Sequence, residues 1–154
     1  MVKTKYIDLD EALSNRLITY YNKVILDRQI PDIRDGLKTA QRRILHVMNR
    51  DGNFSTRAFT KSMRITGNVS SIHPHGDTYD VMANMISPYA IMQPLVKGHG
   101  GFHNIMGKAS SAPRYTEARL QPFTERYLLK NLTKKIASFK PDFDQKGFEP
   151  EVLP

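Results

Sequence analysis

Two short segments of this 154-residue chain hold residue types that can do chemistry. In Arg114-Tyr115-Thr116-Glu117-Ala118-Arg119 a tyrosine stands between arginines. A phenol, with an ordinary pKa near 10, attacks phosphorus only where neighbouring cations and a proton acceptor favour the phenolate. Arg114 is spaced to supply that cation and to stabilise charge on a phosphate in the transition state. The same pattern also fits a strand tyrosine packed against its sheet, and the residues alone leave both readings open. In His73-Pro74-His75-Gly76-Asp77 the two histidines and the aspartate alternate, as three metal ligands on one side of an extended segment would. The proline and glycine inside the run fit a turn better, and paired histidines at a helix entrance fit phosphate contact. Asp8-Leu9-Asp10 and Asp142-Phe143-Asp144 have the D-x-D spacing that can hold magnesium, but one opens a helix and the other lies in an aperiodic tail. Both read as solvated acids.

The elements that would position these residues follow from periodicity. Leu9, Leu13, Leu17, Tyr20 and Val24 recur every three or four positions, and Asp8 with Glu11 resembles a capping box, so a helix is expected from 8 to about 27. Ile30-Pro31 ends it. After Asp35-Gly36, the stripe Leu37, Ala40, Ile44, Met48 predicts a second helix ending at Asp51-Gly52, with Arg42 and Arg43 off the stripe. A third helix carries Phe59, Ser62, Met63 and Thr66 on one side and stops at Gly67-Asn68. A fourth carries Tyr79, Met82, Ala83 and Ile86 and closes at Pro88. Beyond it, short apolar runs separated by Gly98, Gly100-Gly101 and Gly107 read as strands and loops. A last helix starts at Pro122 and runs through Phe123, Tyr127, Leu132 and Ile136, followed by an extended tail.

The expected class is therefore α+β and mainly helical: a winged helix, in which a helix-turn-helix is joined to a β wing, preceded by an N-terminal arm helix. The expected division is an arm helix over 1–30, a winged-helix domain over 31–140 and an extended tail over 141–154.

Composition narrows the partner. Zero cysteines exclude disulfide frameworks, thiol catalysis and cysteine zinc fingers. No apolar run reaches the ~18 residues of a membrane span, and the early Asp8 argues against a secretory signal, so a cytoplasmic protein is expected. Lys and Arg total 23 against 15 acids, a net charge of +8. Nine cations against three acids between Arg28 and Arg64 supply +6 of it. Such a balance suggests a polyanionic partner, although a solvated helical face gives the same count.

Taken together, Arg28-Gln-Ile-Pro-Asp-Ile-Arg-Asp-Gly-Leu-Lys38, Gln41-Arg-Arg-Ile-Leu45, His73-Pro-His-Gly-Asp77, Tyr79-Asp80, Gly98-His-Gly100 and Arg114-Tyr-Thr-Glu-Ala-Arg119 resemble the start of a bacterial type IIA DNA topoisomerase cleavage subunit, the family of the DNA gyrase and topoisomerase IV A subunits. The resemblance runs in order from about Ile7 to Glu149-Pro-Glu-Val-Leu-Pro154. It implies that Tyr115 attacks a DNA phosphodiester to leave a 5′-phosphotyrosyl link and a free 3′-hydroxyl, with Arg114 as the transition-state cation. It implies that Arg28, Lys38, Arg42, Arg43, His73 and His75 hold the backbone of double-stranded DNA. It further implies a homodimer within a heterotetramer, whose Toprim-ATPase partner, like gyrase B or its topoisomerase IV counterpart, holds Mg2+ and uses ATP. The alternative is a winged-helix module that binds DNA without cutting it, or a truncated homologue; the family continues into a tower domain where this chain ends.

Departures from the family pattern are local. The run after Asp77 is two residues short, so Thr78 and Asp80, the counterparts of the quinolone-contact pair, stand at i, i+2 and do not share a helical face. Gly101-Phe102-His103 replaces Asn-Phe-Gly, and Met106-Gly107-Lys108 replaces an acidic Asp-Gly-Asp loop. Gln41 stands where histidine is common, and Pro113 where an aliphatic residue or methionine is.

Overall fold

The computed structural model describes residues 6–74 and 78–154. These residues form an α+β structure with five helices, a three-stranded antiparallel sheet and a two-stranded one. Helix α1 (Leu9–Val24) continues into a π-helical turn over Ile25–Gln29, closed by the Ile30 N–H donating to the Ile25 carbonyl at 3.2 Å. Asp8 takes the N-cap position, but its side chain makes no capping bond, unlike the expected box. None of the residues of α1 is buried.

Helix α2 (Thr39–Arg50) is the centre of the molecule. Ile44, Leu45, Val47 and Met48 are wholly buried along it. Burying each such side chain contributes roughly 1.5–3 kcal/mol, which outweighs the modest helix propensity of the β-branched pair. Gln41 starts the helix by accepting the Lys38 N–H on its Oε1 at 2.9 Å. Gln41 is thus a capping residue.

Strand β1 (Thr60–Lys61) leads directly into α3 (Ser62–Ser70). The inward side of α3 is Ser62, Ile65 and Val69, not the expected Phe59-Ser62-Met63-Thr66 face, and Met63 is exposed. Nor does Gly67-Asn68 stop it. Burial of Val69 rewards another turn, and Asn68 donates to Asp51 Oδ2 at 2.6 Å from within the helix. Helix α4 (Thr78–Ile86) buries Thr78, Met82, Ala83 and Met85.

Strands β2 (Val96–His99) and β3 (Glu117–Leu120) complete the sheet in the order β1-β3-β2. Val96, Ala118 and Leu120 enter the core, while Lys97, His99, Glu117 and Arg119 alternate outward. Gly98 permits the close packing of β2: a Cβ there would lie 2.5 Å from the Phe102 ring and 2.7 Å from Ile86.

After β3, α5 (Pro122–Thr124) and a π-helical turn over Glu125–Leu129 end well before the expected Ile136. Asn131 adopts φ 63°, which breaks the helix, and Ile136 is exposed, so no burial draws the helix onward. The segment read as an extended tail turns back on itself. Strands β4 (Phe139–Pro141) and β5 (Phe148–Pro150) pair antiparallel, and Glu149, Pro150 and Leu153 are buried. The Leu153 N–H donates to Asp35 Oδ2 at 2.9 Å, tying the C-terminal segment to the turn that opens α2.

Candidate functional site

Tyr115 lies on a turn just before β3, closed by its own N–H donating to the Ala112 carbonyl at 2.9 Å. Its side chain is 66% exposed, so the reading of a strand tyrosine packed on the sheet does not hold. The Arg114 guanidinium lies 4.9 Å from the centre of the Tyr115 ring, where a cation sits favourably over the π face.

The turn is rigid because its neighbours are buried. Thr116 is fully buried and its Oγ1 donates to Ser62 Oγ at 2.9 Å. The Ser62 N–H donates to the Thr116 carbonyl at 3.0 Å. Tyr79 of α4 donates its hydroxyl to the Ser111 carbonyl at 2.5 Å and lies 3.0 Å from Thr116 Oγ1. Gly100 has φ +115°, and a Cβ there would come within 3.2 Å of the Tyr115 carbonyl. Three elements, α3, α4 and the β2–β3 loop, therefore grip the residue after the tyrosine and leave the phenol outside. Tyr79 and Thr116 stand within the motifs that carry the family resemblance, but neither they nor Ser62 were assigned a role from the sequence, since Tyr79 falls on the apolar stripe of its helix and reads as core.

A groove of about 580 Å³ lies elsewhere, between the end of α1 with its π turn, the start of α2, the end of α3 and α4. Arg28, Lys38, Arg43 and His73 all line it, joined by Lys23 and Lys140, while Asp27 is the acid in its wall. The groove thus gathers four residues expected on the phosphate backbone from positions 28 to 73. Thr78 also lines it, buried, whereas Asp80 is exposed two residues further along α4. Neither Arg114 nor Tyr115 lines the groove. His75 lies outside the described residues. The His73 ring stacks on Phe143 of the hairpin at 5.3 Å.

The two neighbouring arginines of α2 are held internally. Arg42 departs from the expected backbone contact: its side chain is 6% exposed, and it pairs with the buried carboxylate of Asp35 at 2.6 Å and donates to the Leu37 carbonyl at 3.2 Å. It faces inward because Asp35, seven residues earlier, is buried with it. Burial raises the Asp35 pKa, but hydrogen bonds from Arg42 and from the Leu153 and Leu37 N–H groups, with the Arg42 charge, hold the carboxyl below its ordinary value. Arg43 does line the groove, yet it makes a two-pronged bond to Glu149 at 2.5 and 2.9 Å. Glu149 also meets Lys140 at 3.4 Å. Burial raises its pKa, but the hydrogen bonds and charge of Arg43, with those of Lys140, bring it below the usual carboxylate range.

Behind the hairpin, His46 packs edge-on against Phe139, their ring centres 6.1 Å apart. Burial and the Arg50 charge lower its pKa, so the neutral ring is favoured. Among the described residues no group of three His, Asp or Glu is arranged to hold a metal ion. Among them, too, no helix is long and apolar enough to cross a membrane.

A family model described as the A subunit of DNA gyrase/topoisomerase IV matches residues 28–154, from the cationic groove through the tyrosine turn to the hairpin. The chain belongs to this family. It is 40% identical over 151 residues to the DNA gyrase A subunit of Haemophilus influenzae, covering 96% of this chain and 17% of that protein. It is 41% identical over 151 residues to the DNA topoisomerase 4 A subunit of Bacillus subtilis, covering 96% and 19%. A chloroplastic/mitochondrial DNA gyrase A subunit of Nicotiana benthamiana is 39% identical over 150 residues, at 96% and 16%. The chain spans about a sixth of the length of the curated relatives it matches. Membership in the family of gyrase and topoisomerase IV A subunits rests on almost the whole chain and does not favour one branch over the other.

Proposed function

We propose that this chain is the DNA-cleaving winged-helix part of a type IIA topoisomerase. In this reading α3 and α4 are the arms of the helix-turn-helix, β2 and β3 form the wing, and α1 is the arm. The observation that carries it is the exposed Tyr115 with the Arg114 guanidinium 4.9 Å from its ring, on a turn whose following residue, Thr116, is buried and hydrogen-bonded in place. The Tyr115 oxygen bonds to a backbone phosphorus as the P–O3′ bond breaks. The phenolic proton leaves to an acceptor, and the departing 3′ oxygen gains one. The product is a 5′-phosphotyrosyl link with a free 3′-hydroxyl. Because one phosphoester replaces another, religation is the reverse step and needs no ATP. Arg114 stabilises the negative charge on the phosphate oxygens during both.

The groove holds the backbone through Arg28, Lys38 and His73, with His75 as a further contact; Arg42 is assigned to support the turn that carries Lys38, and Arg43, engaged by Glu149, to support the groove wall rather than to meet phosphate. These contacts position DNA and carry little sequence information. Mg2+ is assigned to a Toprim domain of a partner subunit that also uses ATP. When bound there, the metal supplies charge neutralisation at the reacting phosphate. Two copies of the chain, each cutting one strand, account for a double-strand break. The site of action is the cytoplasm, on the chromosome.

Covalent capture tests the reading. The chain and its Tyr115→Phe variant are incubated with nicked duplex, magnesium and a gyrase-B-type subunit, and adducts are read by denaturing gel and intact mass. An adduct that needs Tyr115 is expected. Saturated binding with no adduct in either sample would reduce the chain to a non-cleaving DNA-binding module.

A further inference from the structure

We infer that Tyr79 of α4 is a positioning residue for Tyr115: its hydroxyl pins the chain on both sides of the turn that carries Arg114 and Tyr115, and so sets where the phenol stands. This rests on the reading of Tyr115 as the nucleophile. The Tyr79 hydroxyl donates to the Ser111 carbonyl, ahead of the turn, at 2.5 Å and lies 3.0 Å from Thr116 Oγ1, just after it. A half-buried tyrosine needs one partner to satisfy its polar end. Tyr79 has two, and they bracket one short segment of chain.

Tyr115 is itself exposed, so its position comes from what holds the turn beneath it. The backbone supplies part of that hold. The turn is closed by the Tyr115 N–H donating to the Ala112 carbonyl at 2.9 Å. On the side facing α3, the Ser62 N–H donates to the Thr116 carbonyl at 3.0 Å and the Met63 N–H to the Pro113 carbonyl at 3.2 Å. These are the first two N–H groups of α3, which have no acceptor within their own helix. The Ser111 end of the segment is left to the Gly101 carbonyl, which accepts the Ser111 N–H at 2.7 Å, and to the Tyr79 hydroxyl. Tyr79 is thus the side chain that joins the Ser111 end to the Thr116 end.

The hydroxyl is in turn fixed by its helix. The Tyr79 ring lies 6.4 Å from the Phe102 ring, the same ring that packs against Gly98. Thr78, Val81 and Asn84 of α4 line the groove. Helix α4 therefore meets the groove on one side and the nucleophile turn on the other, and Tyr79 is its contact with the turn. Attack at phosphorus needs the phenol oxygen within about 3–3.5 Å of its target, and a misplacement of about 1 Å costs on the order of 10²-fold in rate. A hydroxyl that fixes both ends of the turn acts on that distance without touching the phosphate.

The test removes the hydroxyl and keeps the ring. In Tyr79→Phe, adduct formation at saturating nicked duplex, with magnesium and a gyrase-B-type subunit, should slow about tenfold, the effect of one ordinary hydrogen bond, while the duplex concentration giving half-saturation stays within about twofold. Thr116→Val, which removes the other end of the same contact, should slow it at least as much, and Thr116→Ser, which keeps the hydroxyl, should recover most of that loss. A second measurement needs no cleavage. Amide hydrogen exchange of the unreacted chain, read by NMR, should be about tenfold faster at Ser111 and Tyr115 in Tyr79→Phe and unchanged at Leu120, whose N–H donates to the Asn53 carbonyl at the far end of β3. Unchanged exchange at Tyr115 would overturn the inference, as would a uniform rise that includes Leu120 or an equal loss of rate and affinity. The two ideas fail separately: faster exchange at the turn with no adduct from the unmodified chain sinks cleavage and leaves Tyr79 as the hold on the turn, whereas an adduct formed by Tyr79→Phe at the unmodified rate sinks the positioning role alone.

Discussion

The start of α2 and the turn before β3 each present an arginine beside a reactive-looking neighbour, and the fold treats the two in opposite ways. At α2, Arg42 is enclosed with Asp35, and Arg43 is clasped by Glu149 from the far end of the chain. At the turn, Arg114 and Tyr115 remain exposed while Thr116 beneath them is locked in place. The difference lies in what each charge meets. A guanidinium enclosed with a carboxylate is part of the framework, and its removal leaves a buried anion without a partner. A guanidinium left in water over an aromatic ring costs the fold little and stays available to a phosphate.

The sharpest way to break this contrast is to remove each arginine in turn. Arg42→Ala should cost about 3–5 kcal/mol of stability in chemical denaturation, because it strands the Asp35 carboxylate. A loss below about 1 kcal/mol, with weakened DNA binding, would return Arg42 to the phosphate contacts. Arg114→Ala should leave the melting temperature unchanged and lower the cleavage rate by about 10²–10³-fold, with little effect on DNA affinity. Equal losses in rate and affinity would remove its assignment to the transition state.

Acid should weaken the α2 region before the tyrosine turn. His46 favours the neutral form in the fold, so its contribution is present above the unfolded histidine pKa near 6.5 and falls away as pH drops below it. Asp35 and Glu149 have lowered pKa values, so theirs persists above the ordinary carboxylate range and is lost at still lower pH. Stability is expected to decline in two stages on acidification, and His46→Phe should erase the first. A single carboxylate-range stage in the unmodified chain would show that His46 contributes nothing to it. The smallest expected effect is that of Lys38→Ala, which should flatten the salt slope of DNA binding by about one unit and leave folding intact. An unchanged slope would place Lys38 away from the backbone.

The parts legible in the sequence are those whose causes are local. The stripes of α1, α2 and α4 gave the helices, and the glycine-spaced runs after Pro88 marked a region of strands and loops, although Gly98 lies inside β2 and not between strands. Where burial competed with a local signal, burial prevailed, as in α3, which continues through Gly67 because Val69 is packed. Without burial the opposite occurred: the stripe through Leu132 and Ile136 did not extend α5, since Ile136 remains in water. Equal periodicity in α1 and α2 predicted two helices but not that one would bury its stripe and the other would bury none.

The family, the α+β class, the net charge and the Arg-Tyr pair were all readable from the amino-acid order, because each depends on residue type and short-range spacing. Which cations are engaged by carboxylates among the described residues came from the folded packing. Arg42 and Arg43 are adjacent and chemically identical, and what distinguishes them from Arg28 and Lys38 is the approach of carboxylates to form ion pairs. Glu149 lies 106 residues beyond Arg43, and Leu153, which shares Asp35 with Arg42, is 118 residues beyond that aspartate. Contacts across such separations arise from how the core packs, and no local pattern encodes them.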